Sequence, residues 1–111
     1  DVYPRAVDPD GSLKDASAWE ALGVTIGDGA TIGARAVVRA GVNVGEWALV
    51  GAGAVVVADV PAHALVVGNP ARQKGWVGRA GLQLVESDGD VWSCPETGER
   101  YALRDGRLTI T

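Results

Sequence analysis

The chain has 111 residues, the size of one small domain, and sets 10 Lys and Arg against 14 Asp and Glu for a net charge of −4. The basic residues form no run that would serve nucleic acid or a membrane surface. No apolar stretch free of Gly and charge is long enough to span a bilayer, and there is no basic-then-apolar leader, so we expect a soluble, cytoplasmic protein. The apolar set contains 17 Ala, 17 Val and only three Ile, with no Phe or Met, and 16 Gly accompany it. An interior of such small pieces fits backbones that run close together over shallow space, as in a repeat fold, rather than a core packed around aromatics.

Residues 1–23 carry breakers at Pro4, Pro9, Asp10 and Gly11, then a stretch from Ser12 to Ala21 able to hold one or two helical turns; we assign them to a loop or insertion. A different grammar fills residues 24–61. From Ile26 to Pro61 the sequence divides into six uninterrupted hexads, I-G-D-G-A-T, I-G-A-R-A-V, V-R-A-G-V-N, V-G-E-W-A-L, V-G-A-G-A-V and V-V-A-D-V-P. Position one is always β-branched (Ile26, Ile32, Val38, Val44, Val50, Val56), and position five is always Ala or Val (Ala30, Ala36, Val42, Ala48, Ala54, Val60). Neither a period-2 strand nor a 3.6-residue helix keeps two such columns inside over 36 residues, and a sandwich of Val-rich strands would alternate instead. The period predicts an all-β fold, a left-handed parallel β-helix of triangular section with one strand and turn per hexad and 18 residues per coil. Gly27, Gly33, Gly45 and Gly51 occupy position two, where we expect the turn to need unusual φ and ψ.

Six hexads make only about two coils. At about 4.8 Å per stacked strand that is a prism about 10 Å tall, whereas solenoids need about three repeats. The sequence, which contains no Met, is therefore expected to be the C-terminal part of a longer solenoid, to lean on partner subunits, or both. Trp47, at position four, is expected to point outward, as an oligomer contact or as a surface covered by the tail. Residues 62–81 follow with an apolar strand from Ala64 to Val67, a turn at Gly68, Asn69 and Pro70, and then Arg72 and Lys74. Residues 82–111 predict a small antiparallel tail with strands Leu82–Glu86, Asp90–Cys94, Arg100–Leu103 and Arg107–Thr111, separated by S-D-G, P-E-T-G and R-D-G turns.

The hexads, followed by G-A-G-A-V-V-V-A-D-V-P and A-L-V-V-G-N-P-A-R, resemble the C-terminal end of the hexapeptide-repeat acyltransferases. The run Val60–Val77 is similar to the subgroup that N-acetylates UDP-linked 3-amino-glucuronate sugars, and Tyr3-Pro4-Arg5 is similar to a loop after that subgroup's substrate-side coils. The likeness is good over about Val24–Val77. It implies a homotrimer that moves an acyl group from acetyl-CoA or another acyl-CoA to the amine of a nucleotide-linked sugar, with the active site at a subunit interface. It assigns cofactor contacts to Ala34, Ala52, Val57, Arg72 and Lys74. Ala34 and Ala52 lie 18 apart, with small side chains that let a ligand reach the backbone, and Arg72 matches the arginine that meets the nucleotide phosphates.

Where relatives carry Thr-Lys before Asp59, this chain has Val57-Ala58, which removes a hydroxyl and a cation from that groove. The family's usual base is a histidine in an earlier coil. The one histidine here, His63, follows the hexads and is expected to face solvent or an interface, while Asp59 and Glu46 are lone carboxylates on turns. The catalytic residues are thus unknown and expected upstream of Asp1. The alternatives are an inactive trimeric β-helix scaffold and an O-acetyltransferase of the same fold acting on a small sugar. An ice-binding prism would need a flat Thr array, which Thr25 and Thr31 do not make. C-P-E-T-G at Cys94–Gly98 is similar to half of a zinc ribbon appended to some relatives, and G-W-V-G-R-A-G at Gly75–Gly81 stands where the other half would be. With Thr97 in the second cysteine position a four-ligand site cannot form, so no metal is expected and Cys94 is taken as a buried apolar residue.

Overall fold

Six two-residue strands succeed one another at six-residue spacing: β1 (Thr25–Ile26), β2 (Thr31–Ile32), β3 (Val37–Val38), β4 (Asn43–Val44), β5 (Leu49–Val50) and β6 (Val55–Val56). The computed structural model describes residues 22–111 together with Asp10 and Ser12, so the predicted helical turns of 12–21 and the Tyr3-Pro4-Arg5 segment lie outside the described residues. Each strand joins positions six and one of the hexads, and the pairing is parallel at a shift of 18: Thr25 with Asn43, Thr31 with Leu49, Val37 with Val55. Three strands per coil give the prism three faces, carried by β1 and β4, β2 and β5, and β3 and β6. The described residues form no helix, so none is long and apolar enough to cross a membrane.

Both predicted inward columns form the core. Val42, Val44, Ala48, Val50, Ala54, Val56 and Val60 are buried in one cluster, with Ala30, Ala36 and Val38 packed against it. Ile26 and Ile32 belong to the same column, yet are 45% and 39% exposed, because among the described residues the first coil is stacked on one side only.

The role of the position-two glycines differs from the expectation. Left-handed backbone falls instead at position four: Gly29, Arg35, Gly41, Trp47 and Gly53 have φ between 60° and 88°. Gly33 is needed because the next coil passes directly over it, and a Cβ there would lie 2.5 Å from the Ala52 nitrogen and 2.8 Å from the Val50 oxygen. The same close approach brings Gly27 against Gly45–Glu46 and Gly45 against Pro61–Ala62.

After Val60 the path shortens. Val44 bridges Val60 and Leu49 pairs with Leu65, both shifts of 16, so β7 (Ala64–Val67) lands on the second face as a third layer. The chain then reverses into β8 (Arg72–Trp76), antiparallel to β7, which caps that face. The intervening turn holds a cis Asn69–Pro70 bond and clips to the third face, the Val55 N–H donating to the Gly68 oxygen and the Ala71 N–H to the Val55 oxygen. The sequence R-Q-K-G-W shows no period-2 pattern, so β8 escaped prediction; as an outer strand whose first three residues are exposed, it needs none.

The tail is a four-stranded antiparallel meander, β9 (Val85–Asp88), β10 (Val91–Ser93), β11 (Arg100–Arg104) and β12 (Arg107–Ile110). Its first strand starts later than predicted because the residues before it return to the cap: Gln83 bridges Val77, and the Leu84 N–H donates to the Trp76 oxygen. Leu84, Cys94, Tyr101 and Leu108 form a second core, and Trp76 packs against both cores. Cys94 is buried as expected, and hydrogen bonding from Thr97 holds its thiol below the ordinary value.

A polar chain fastens the tail to the prism. The His63 Nδ1–H donates to the Val77 oxygen at 2.9 Å, and its ring lies 5.1 Å from that of the fully buried Tyr101. The Tyr101 hydroxyl accepts the Arg79 backbone N–H at 3.0 Å and donates to Glu99 at 3.1 Å, while the Arg79 guanidinium pairs with Glu99 at 2.7 Å. His63 is therefore buried, not facing solvent as expected: the shortened turn tucks it under the tail, with left-handed φ of 63°. The Arg79 hydrogen bond is the main cause holding the Glu99 carboxyl below its usual range, Glu99 in turn raises Arg79, and burial raises Tyr101.

Gly33→Ala is expected to destabilise the protein by about 3 kcal/mol, because only backbone surrounds the new methyl. Gly53→Asn, with open space and a φ that Asn tolerates, should cost less than about 1 kcal/mol; urea unfolding of the two variants checks the contrast. Since the folded Glu99 carboxyl titrates below its unfolded value, its contribution is present above the ordinary carboxylate pKa and lost as pH falls through the lowered one. Glu99→Gln should flatten that part of the acid limb in melts recorded against pH. Tyr101→Phe leaves the Arg79 N–H without its acceptor and should cost about 1–3 kcal/mol at neutral pH.

Candidate functional site

The three corners of the prism are dressed differently. The second corner, between β2/β5 and β3/β6, carries Ala34 and Ala52 one above the other, both exposed, with the Gly53 N–H donating to the Ala34 oxygen at 2.8 Å. Methyl side chains there leave the stacked backbone open to a ligand.

The third corner, after β6, carries Val57, which is 41% exposed. It forms one wall of a cleft of about 280 Å³ whose other wall is the start of β8, with Arg72. Arg72 spends only one Nη1 contact, at 3.3 Å, on the Ala71 oxygen, so most of its guanidinium is open to an anion. Asp59, also on this cleft, is not a loose carboxylate: its Oδ1 accepts the Asn43 N–H at 2.8 Å and ties the corner to the coil below. Arg72 is the cleft's one cation, and Val57-Ala58 adds neither charge nor hydroxyl.

The structure thus brings Val57 and Arg72 together and stacks Ala34 on Ala52, on different corners of the prism. Lys74 joins neither group. Val66 pairs with Gln73 and Leu65 with Gly75, so Lys74 is the extra residue of a β-bulge, exposed and outside the cleft lining.

The first corner was not singled out from sequence as a site. Asp28, Glu46 and His63 climb it in register, with the Trp47 N–H donating to the Asp28 oxygen at 3.0 Å and the His63 N–H to the Glu46 oxygen at 2.9 Å. The six-membered ring of Trp47 lies over Gly29, and the tail roofs the corner, so Trp47 lines a cleft within the chain, the second of the two roles expected for it. The signal available in sequence was the glycine 18 residues before the tryptophan. Among the described residues no three metal-ligating side chains come together.

Residues 23–58 match the family described as bacterial transferase hexapeptide, six repeats. Among solved structures, a galactoside acetyltransferase in complex with coenzyme A is 28% identical with a TM-score of 0.51, over 60% of this chain and 34% of that one. Serine acetyltransferase from Brucella abortus strain S19 is 38% identical with a TM-score of 0.50, over 50% of this chain and 23% of that one. A variant of GDP-perosamine N-acetyltransferase from Caulobacter crescentus, in complex with CoA and GDP-perosamine, is 47% identical with a TM-score of 0.47, over 48% of this chain and 25% of that one. The chain spans about a quarter to a third of the length of these structures. No curated protein sequence matches it significantly. Residues 23–58 thus carry the bacterial transferase hexapeptide repeat, and about half of the chain is similar to solved acetyltransferases.

Proposed function

We propose that this chain is part of a cytoplasmic acyltransferase that takes its acyl group from acetyl-CoA or another acyl-CoA and passes it to an amino group of a nucleotide-linked sugar. The prism is left-handed, three copies assemble as a homotrimer with the active site between neighbouring prisms, and the catalytic groups lie outside residues 1–111. The observation that carries this reading is the likeness to the galactoside acetyltransferase in complex with coenzyme A, 28% identical with a TM-score of 0.51 over 60% of the chain.

The residues suit the donor. A CoA thioester supplies an activated acyl carbon on a long amide arm ending in phosphates. The Ala34–Ala52 stack exposes backbone groups to which such amides hydrogen-bond. Arg72 offers phosphate a permanently charged, forked set of donors, and Val57 offers the same cleft an apolar wall. Lys74, exposed on its bulge, adds a point charge nearby.

A second reading, the inactive trimeric scaffold, is favoured by one observation: Val57-Ala58 leaves Arg72 as the cleft's one cation. Calorimetry of full-length protein with acetyl-CoA separates the two. Binding should be measurable and should weaken about tenfold to a hundredfold in Arg72→Ala, the loss of a charge-assisted phosphate contact. No heat of binding from the intact protein would decide for the scaffold. O-acetylation of a small sugar in place of N-acetylation would appear directly in the product.

A further inference from the structure

The first corner carries a trough that none of the assignments above uses. Three clefts of about 160, 300 and 380 Å³ run beneath the tail and share walls: the first two share Trp47 and Arg79, the last two Ala62, Leu108 and Thr109. The charge along it is not uniform. At one end the Trp47 ring is seated on Gly29, with the Glu46 carboxylate beside it and Asp28 one coil below. Arg79 does not offset these acids, because its guanidinium is neutralised by Glu99 at 2.7 Å. His63 adds an acceptor: its Nδ1–H is committed to the Val77 oxygen, which leaves Nε2 with the free lone pair of the neutral ring. That end presents an indole, a carboxylate and a nitrogen lone pair, the set that takes a protonated amine on a ring. The far end is basic. Arg107 lines the largest cleft and is paired across the β11–β12 hairpin with Arg104, both exposed, so two guanidinium groups flank its mouth.

We infer that this trough is the binding site for an amino-sugar phosphate, the sugar ring stacked on Trp47 with its amine toward Glu46 and His63, and the phosphate at Arg107. It names where the acceptor of the proposed transfer sits, and it rests on that reading for the acceptor's role alone; the binding itself stands on the trough. A ring with an amine at one end and phosphate at the other matches both the sign and the order of the charges, which an uncharged sugar or a free nucleotide would not.

The test uses full-length protein and calorimetry with glucosamine 1-phosphate, glucosamine and glucose 1-phosphate. Glu46→Gln and Arg107→Gln are chosen because both side chains are exposed and neither makes a side-chain hydrogen bond among the described residues. Glu46→Gln should weaken the two amines about tenfold and leave glucose 1-phosphate unchanged. Arg107→Gln should weaken the two phosphates by about the same factor and leave glucosamine unchanged. Failure of glucosamine 1-phosphate to bind, or binding that neither variant alters, overturns the inference. Acetyl-CoA binding, measured separately against Arg72→Ala, reports on the acyltransferase reading without involving this corner, so either proposal can fall while the other stands.

Discussion

The structure depends on how closely one coil of backbone can lie on the next. The strands are two residues long, too short to hold by lateral pairing alone, so cohesion comes from repeating the same path 18 residues later with backbone groups bonded across: Gly27 to the Val44 oxygen, Gly33 to the Val50 oxygen, both within 2.8 Å. That contact tolerates no Cβ at position two, which is why Gly33 sits 2.5 Å, in the sense of a missing methyl, from Ala52. It also fixes the composition. A triangular interior fed by one residue from each side of each corner has room for Val and Ala, and no room for a ring.

Once the coils are locked in register, the corners become fixed platforms. Position four takes the left-handed backbone that turns each corner, and its side chain projects from the prism without disturbing the stack. Trp47 occupies such a place with φ of 60°, and the absence of a side chain on Gly29 below allows its ring to lie flat against the coil. His63 takes the same backbone form at the top of that corner, where the register shortens to 16. The shortening lets β7 and β8 close the prism and turns the chain toward the tail, whose core and the prism's core share Trp76.

The coiled fold was legible because its constraint recurs at every sixth residue: two columns and a glycine column suffice to specify strands, faces and an interior. What the period could not show is which property each column serves. Glycine at position two reads equally as turn flexibility and as close approach, and only the stacked neighbour distinguishes them. Features made once were harder to see. The β8 strand carries no alternation, because its burial is set by β7 on one edge, and the bulge that displaces Lys74 from Arg72 leaves no mark in R-Q-K-G-W. His63 read as a variable turn residue, since its burial comes from Tyr101, 38 positions later. Long-range contacts between single residues have no periodic signature.

The three corners also differ in electrostatic sign, and this bears on assembly. Arg72 makes the third corner receptive to an anion, whereas Asp28 and Glu46 make the Trp47 end of the first receptive to a cation. An acyl thioester carrying phosphates and an amine acceptor are reactants of these two kinds, and separating their sites keeps each from being held in the other's place. Within one prism the two corners flank the first face, a full hexad apart, which in extended chain is up to about 20 Å. A rigid coil cannot fold that face to bring them together. On the proposed reading, a donor on one copy therefore reaches an acceptor on the next only where unlike corners of neighbouring prisms face each other, as the rotation axis of a ring of identical copies requires, so that the chemistry itself calls for the trimer.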